Sequence, residues 1–211
     1  LEEIPVDFVF PRVLKRLTFH DNFNNEVNLE GLPLTHLTFG HIFNNEVNLE
    51  GLPLTHLTFG HYFNKEVNLE GLPLTRLTFG ARFNKEVDLS GLPLTHLTWW
   101  CNKEVDLSGL PLTHLTFGVR FNNEVNLEGL PLTHLTWRCN NEVDLSGLPL
   151  THLTWQGNKE VNLEGLPLTH LTWECNKEVN LEGLPLTHLT FGHDFNNEVN
   201  LEGLPLTHLI F

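Results

Sequence analysis

The chain has 211 residues, with 26 acidic against 12 basic side chains and a formal net charge of −14 when its 13 histidines are neutral. It lacks the Lys/Arg stripe that a phosphate backbone requires, and no apolar run reaches the length of a bilayer span. Neither nucleic acid nor a membrane is therefore an expected partner.

In chain order, residues 1–16 read as a degenerate N-terminal part-repeat, and its acidic start is not that of a secretory leader. From Leu17 onward one block recurs ten times, with starts at Leu17, Leu37, Leu57, Leu77, Leu97, Leu115, Leu135, Leu153, Leu171 and Leu189. Six units have 20 residues and four have 18, and the repeats run from 17 to 208. Residues 209–211 begin a truncated further repeat. A unit this short cannot bury its own apolar face, so a continuous core forms only when neighbours stack. The chain contains no methionine and opens and closes within a repeat, which predicts a piece of a longer protein.

Within a unit, Leu57-Thr58-Phe59 alternates apolar and polar side chains, as a half-buried strand does. Leu57 and Phe59 are expected inside, with His56 and Thr58 outside. Glu66-Val67-Asn68-Leu69 alternates again and reads as a second extended segment on the opposite side. Gly71-Leu72-Pro73 turns the chain back, and proline excludes this segment from a central ladder. No helical period occurs. The expected fold is an all-β, leucine-rich-repeat-like solenoid of about ten 18–20-residue coils, with a parallel sheet on one side and short extended segments on the other.

The short units sharpen this reading. Leu94-x-x-Leu97-x-Trp99-x-x-Asn102 reproduces the leucine-rich-repeat spacing, with an asparagine able to satisfy backbone groups where the chain leaves the strand. Long units read Phe-Gly-x-x-Phe-Asn, whereas three of the four short ones replace Phe…Phe by Trp…Cys, as at Trp137 and Cys139, and the fourth has Trp155 with Gly157. A larger ring offsets a smaller partner, which places both positions in a core of nearly fixed volume. Units also carry either Asn-Leu-Glu, as at Asn68, or Asp-Leu-Ser, as at Asp88, so one acid is kept in each. Cys101, Cys139 and Cys175 fall in alternate units, roughly 10 Å apart at the spacing of stacked strands. That is too far for a disulfide, so free thiols and a reducing, cytoplasmic setting are expected.

These units resemble FNIP repeats, leucine-rich-repeat relatives of social amoebae and giant DNA viruses that share the run LPxxLTHLTFGxxFN. The resemblance implies a viral or amoebal repeat protein with an interaction role, and it brings no catalytic residues. Here most units are two or four residues shorter than in that family, and Glu-Val follows Phe-Asn where the family often has proline.

No nucleophile elbow, phosphate loop or symmetry-breaking carboxylate pair is present, so neither catalysis nor a cofactor nor a metal is expected. A histidine ladder recurs at His36, His56, His96, His114, His134, His152, His170, His188 and His208, interrupted by Arg76. It suggests a pH-sensitive surface, and charging all 13 histidines would bring the formal charge from −14 to −1. A straight ladder does not converge on a metal. The adjoining threonine ladder resembles that of ice-binding solenoids, but the bulky histidines spoil a flat lattice match. Copies differ chiefly at the tip before the Asn, where Trp100, Tyr62, Arg82, Arg120 and Arg138 are the candidate partner-binding residues. Two roles follow: a non-enzymatic scaffold for protein–protein interaction within a larger adaptor, or a structural rod that self-associates through apolar ends such as Leu209-Ile210-Phe211.

Overall fold

In the computed structural model, residues 8–211 are described. Each coil contributes one short strand: β1 Arg16–Thr18, β2 His36–Thr38, β3 His56–Thr58, β4 Arg76–Phe79, β5 His96–Trp99, β6 His114–Phe117, β7 His134–Trp137, β8 His152–Trp155, β9 His170–Trp173, β10 His188–Phe191 and β11 His208–Ile210. The strands form one 11-stranded parallel sheet in sequential order. The register pairs each residue with its counterpart one coil on, as in His96↔His114 and Leu97↔Leu115. No residue from 8 to 211 is helical.

Strand alternation does what period 2 requires. Leu97 and Trp99 are buried, while His96 and Thr98 lie half-buried on the outer face. The opposite segment lies outside the sheet, as expected. Leu69 is buried and Val67 half-buried, but the described residues form no second ladder there. Local bonds hold the segment instead, because Asn68 Oδ1 accepts the Glu70 amide at 2.9 Å and Leu69 O accepts the Leu72 amide at 3.2 Å.

This Asx turn explains the Asn/Asp alternation. Asp88 Oδ1 accepts the Ser90 amide at 2.8 Å in the same way, so the shared feature is a side-chain acceptor two residues before an amide, rather than charge alone. Gly71, directly after the Glu70 amide, has φ +71°, and no atom lies within 4 Å of the place a Cβ would take there. It supplies a left-handed conformation that L side chains resist.

The core is one continuous stack. Phe39, Phe59 and Phe79 follow Phe19 with ring centroids 5.3–5.5 Å apart, and Phe43, Phe63 and Phe83 form a parallel column at 6.1 Å. Trp99 and Cys101 replace such a pair and are likewise fully buried. Asparagine side chains join the coils on the turn: Asn44 Oδ1 accepts the Asn64 amide at 2.8 Å, and Asn64 Oδ1 that of Asn84 at 2.9 Å. Asn24, Asn44, Asn64, Asn102, Asn140 and Asn176 thus satisfy backbone amides of the following coil.

Candidate interaction surfaces

Three rows of side chains face solvent, and they differ in chemistry. The first is the histidine ladder on the outer face of the sheet. Neighbouring imidazoles stack with centroids 4.0–4.2 Å apart, as in His36 on His56 and His170 on His188. Each Nδ1 lies 2.9 Å from the hydroxyl of the preceding threonine, as His96 does from Thr95. That hydroxyl donates its one proton to the carbonyl of the preceding coil, Thr95 Oγ1 to Thr75 O at 3.2 Å. The oxygen must then accept from the ring, so the proton sits on Nδ1 and the Nε2 lone pair faces outward.

The ladder resists charging. Desolvation first, then like charges on neighbouring histidines and arginines, lowers the pKa of His36, His56, His114, His134, His152, His170 and His188 from 6.5. His96, beside His114 and Arg76, falls to about 4. The formal charge at pH 5 is therefore more negative than the −1 reached by charging every histidine, because His96 stays neutral there. The outward lone pairs run parallel, and among the described residues no group of three His, Cys, Asp or Glu side chains comes together around a metal position.

The second row is acidic. Exposed Glu66, Glu70, Glu86 and Asp88 border a shallow groove floored by Val67 and Val87. Lys103 bonds to Glu86, and Lys159 lies 3.6 Å from Glu142. Ser90 hydrogen bonds hold the Asp88 carboxyl below its ordinary 3.8, and Ser108 and Ser146 do the same for Asp106 and Asp144.

The third row is the tip strip, where copies disagree. Tyr62, Arg82 and Arg120 are exposed, while Trp100 and Arg138 are half-buried. The Arg82 guanidinium lies over the Tyr62 ring at 5.5 Å, and that of Arg138 over Trp100 at 5.7 Å. Trp100 is seated by Gly118 on the next coil, where a Cβ would fall 2.4 Å from Trp100 Cε3. His41 and His61 stack at 5.0 Å beside Tyr62, and His61 has a lowered pKa through desolvation, then His41, Arg120 and Arg82.

The three thiols are not part of any row. Cys101, Cys139 and Cys175 are free and buried. Burial pushes Cys101 up to about 11 and Cys139 up to about 12, and Cys175 upward too, which makes them poor nucleophiles at neutral pH.

A solved structure resembles this arrangement over nearly its whole length. It is that of CroV588, described as a novel circular LRR protein structure, with a TM-score of 0.62 and 34% sequence identity over 96% of this chain. The fold is leucine-rich-repeat-like. The chain spans 31% of the length of that protein. No protein-family model matches the chain, and no curated protein matches it. No helix among the described residues is long and apolar enough to cross a membrane.

Proposed function

We propose that this chain is a non-enzymatic scaffold for protein–protein interaction, the recognition part of a larger adaptor, with the tip strip from Tyr62 to Arg138 as its contact surface. One observation carries the reading. Where ten copies otherwise repeat, the strip gathers a Trp, a Tyr and three Arg on neighbouring coils, and these residue types dominate interface energetics. A repeat frame fixes their spacing, and tolerant loop positions let it vary. The run LPLTHLTFG with its following Phe-Asn supports a reading as FNIP repeats of viral or amoebal type. Buried, unoxidised thiols support a reducing cytoplasmic setting.

The test is capture of cross-linked partners by the wild-type chain and by Tyr62→Ala/Trp100→Ala. Loss of a partner from the variant, with its circular dichroism unchanged, is the expected result. Equal capture by both removes the strip as the contact surface. A second reading, a self-associating rod, rests on the single sheet of eleven parallel strands, a pairing pattern that a further copy can extend. Light scattering that stays monomeric up to high concentration argues against it.

A further inference from the structure

Resting on the reading of the tip strip as a contact surface, we infer that it takes a protein segment in which carboxylates alternate with apolar side chains. Charge comes first. In a chain of net charge −14, Arg82, Arg120 and Arg138 stand on three of four neighbouring coils. Lys103 and Lys159 have Glu partners, whereas the guanidinium groups of the three arginines form no ion pair and donate no hydrogen bond among the described residues. Arg138 Nε is in fact buried without an acceptor.

The arginines are held ready for such a ligand. Rings under Arg82 and Arg138 cover one face of each guanidinium and leave in-plane N–H edges, the geometry that grips a carboxylate by two parallel bonds. Gly118 gives Trp100 the room to lie in this position.

Apolar surface lies along the same strip. Between Leu14 and His208, the exposed large apolar side chains are Ile42, Tyr62 and Val119, and all three are tip residues. A shallow depression lined by His41, Ile42 and Tyr62 continues it. Charge alone would not gather apolar groups here, so the complementary segment carries both features.

The strip is also bounded. Tyr62 to Arg138 covers five coils, roughly 19 Å at the strand spacing, which matches about six residues of extended chain. Acidic tips lie beyond both ends, Asp21 on one side and Glu174 and Asp194 on the other. The exposed glutamates that follow each tip, Glu86, Glu104 and Glu124 among them, confine the negative charge of any ligand to the arginine row. A short acidic segment fits between these limits.

The experiment uses a fluorescein-labelled peptide of eight alternating Glu and Leu residues, titrated by fluorescence anisotropy at low and high salt. Expected are saturable binding, weakening with salt, and a loss of roughly ten-fold or more in affinity for Arg82→Gln/Arg120→Gln/Arg138→Gln and for the same peptide with Gln in place of Glu. Absence of binding, equal binding by the arginine variant or the Gln peptide, or equally tight binding of a labelled eight-nucleotide single strand overturns the inference. Thermal unfolding confirms that the arginine variant is folded. If Tyr62→Ala/Trp100→Ala loses the peptide while the arginine variant keeps it, the strip remains the contact surface and its acidic preference is wrong. If neither variant changes binding, both readings fall.

Discussion

Two buried tryptophans in equivalent positions, two coils apart, make a controlled comparison. Trp99 and Trp137 are both fully buried, but the Trp99 indole N–H donates to Lys103 O at 2.8 Å, whereas Trp137 Nε1 finds no acceptor among the described residues. Replacing Trp by Phe removes roughly 40 Å³, which at about 24 cal/mol per Å³ costs about 1 kcal/mol in either place. At Trp99 the lost hydrogen bond adds about 1 kcal/mol, and at Trp137 removal of an orphan donor returns about 1–3 kcal/mol. Trp99→Phe should therefore cost about 2 kcal/mol, while Trp137→Phe is neutral or stabilising by up to about 2 kcal/mol. Urea unfolding followed by far-ultraviolet circular dichroism measures both, and whatever cooperativity the solenoid has is shared by the pair. Equal losses, or a larger loss at Trp137, would refute the hydrogen-bond assignment.

Glycine substitutions separate two backbone demands. Gly71→Ala meets no neighbour and should cost about 1–2 kcal/mol for its left-handed φ, whereas Gly80→Ala places a methyl 2.1 Å from Gly60 O and should cost clearly more; equal melting temperatures would contradict this. Acid should destabilise the fold. The native ladder histidines bind protons less readily than the unfolded chain, so stability is full above pH 6.5 and falls as pH drops toward about 4, where His96 titrates. The lowered Asp88, Asp106 and Asp144 add further loss below 3.8. A melting temperature that stays constant from pH 7.5 to 4 would exclude this linkage. Long-range nitrogen-15 NMR at pH 7.5 should find the ladder imidazoles protonated on Nδ1, and a predominance of the Nε2–H form would break the threonine relay.

The strand and the core were legible because they depend on a single unit. Leu57 and Phe59 alternate with polar neighbours, and the Trp99/Cys101 exchange preserves volume, so both positions announce themselves as buried. Other features depend on residues one coil away, which sequence spacing does not weigh. The histidine tautomer follows from a hydroxyl bonded to the preceding coil, as Thr95 is to Thr75. The seat of Trp100 follows from Gly118, a glycine that looks like any other in its motif. The Asx turn was readable in principle, since Asn68 and Asp88 share an acceptor and a spacing of two to the bonded amide. Charge conservation offered a competing account of the same letters. Among the candidate residues, the structure brings Arg82 onto Tyr62 and Arg138 onto Trp100, and leaves Arg120 exposed without a ring beneath it.

The central claim is that contact runs along the tip strip and not along the sheet. It is tested most directly by a photoreactive amino acid placed at Val119, which is 64% exposed on the strip, and in a second protein at Thr116 on the outer face of β6. Illumination with the bound partner should give a covalent adduct from position 119 and none from 116; an adduct confined to 116 would place the interface on the histidine–threonine face and contradict the account.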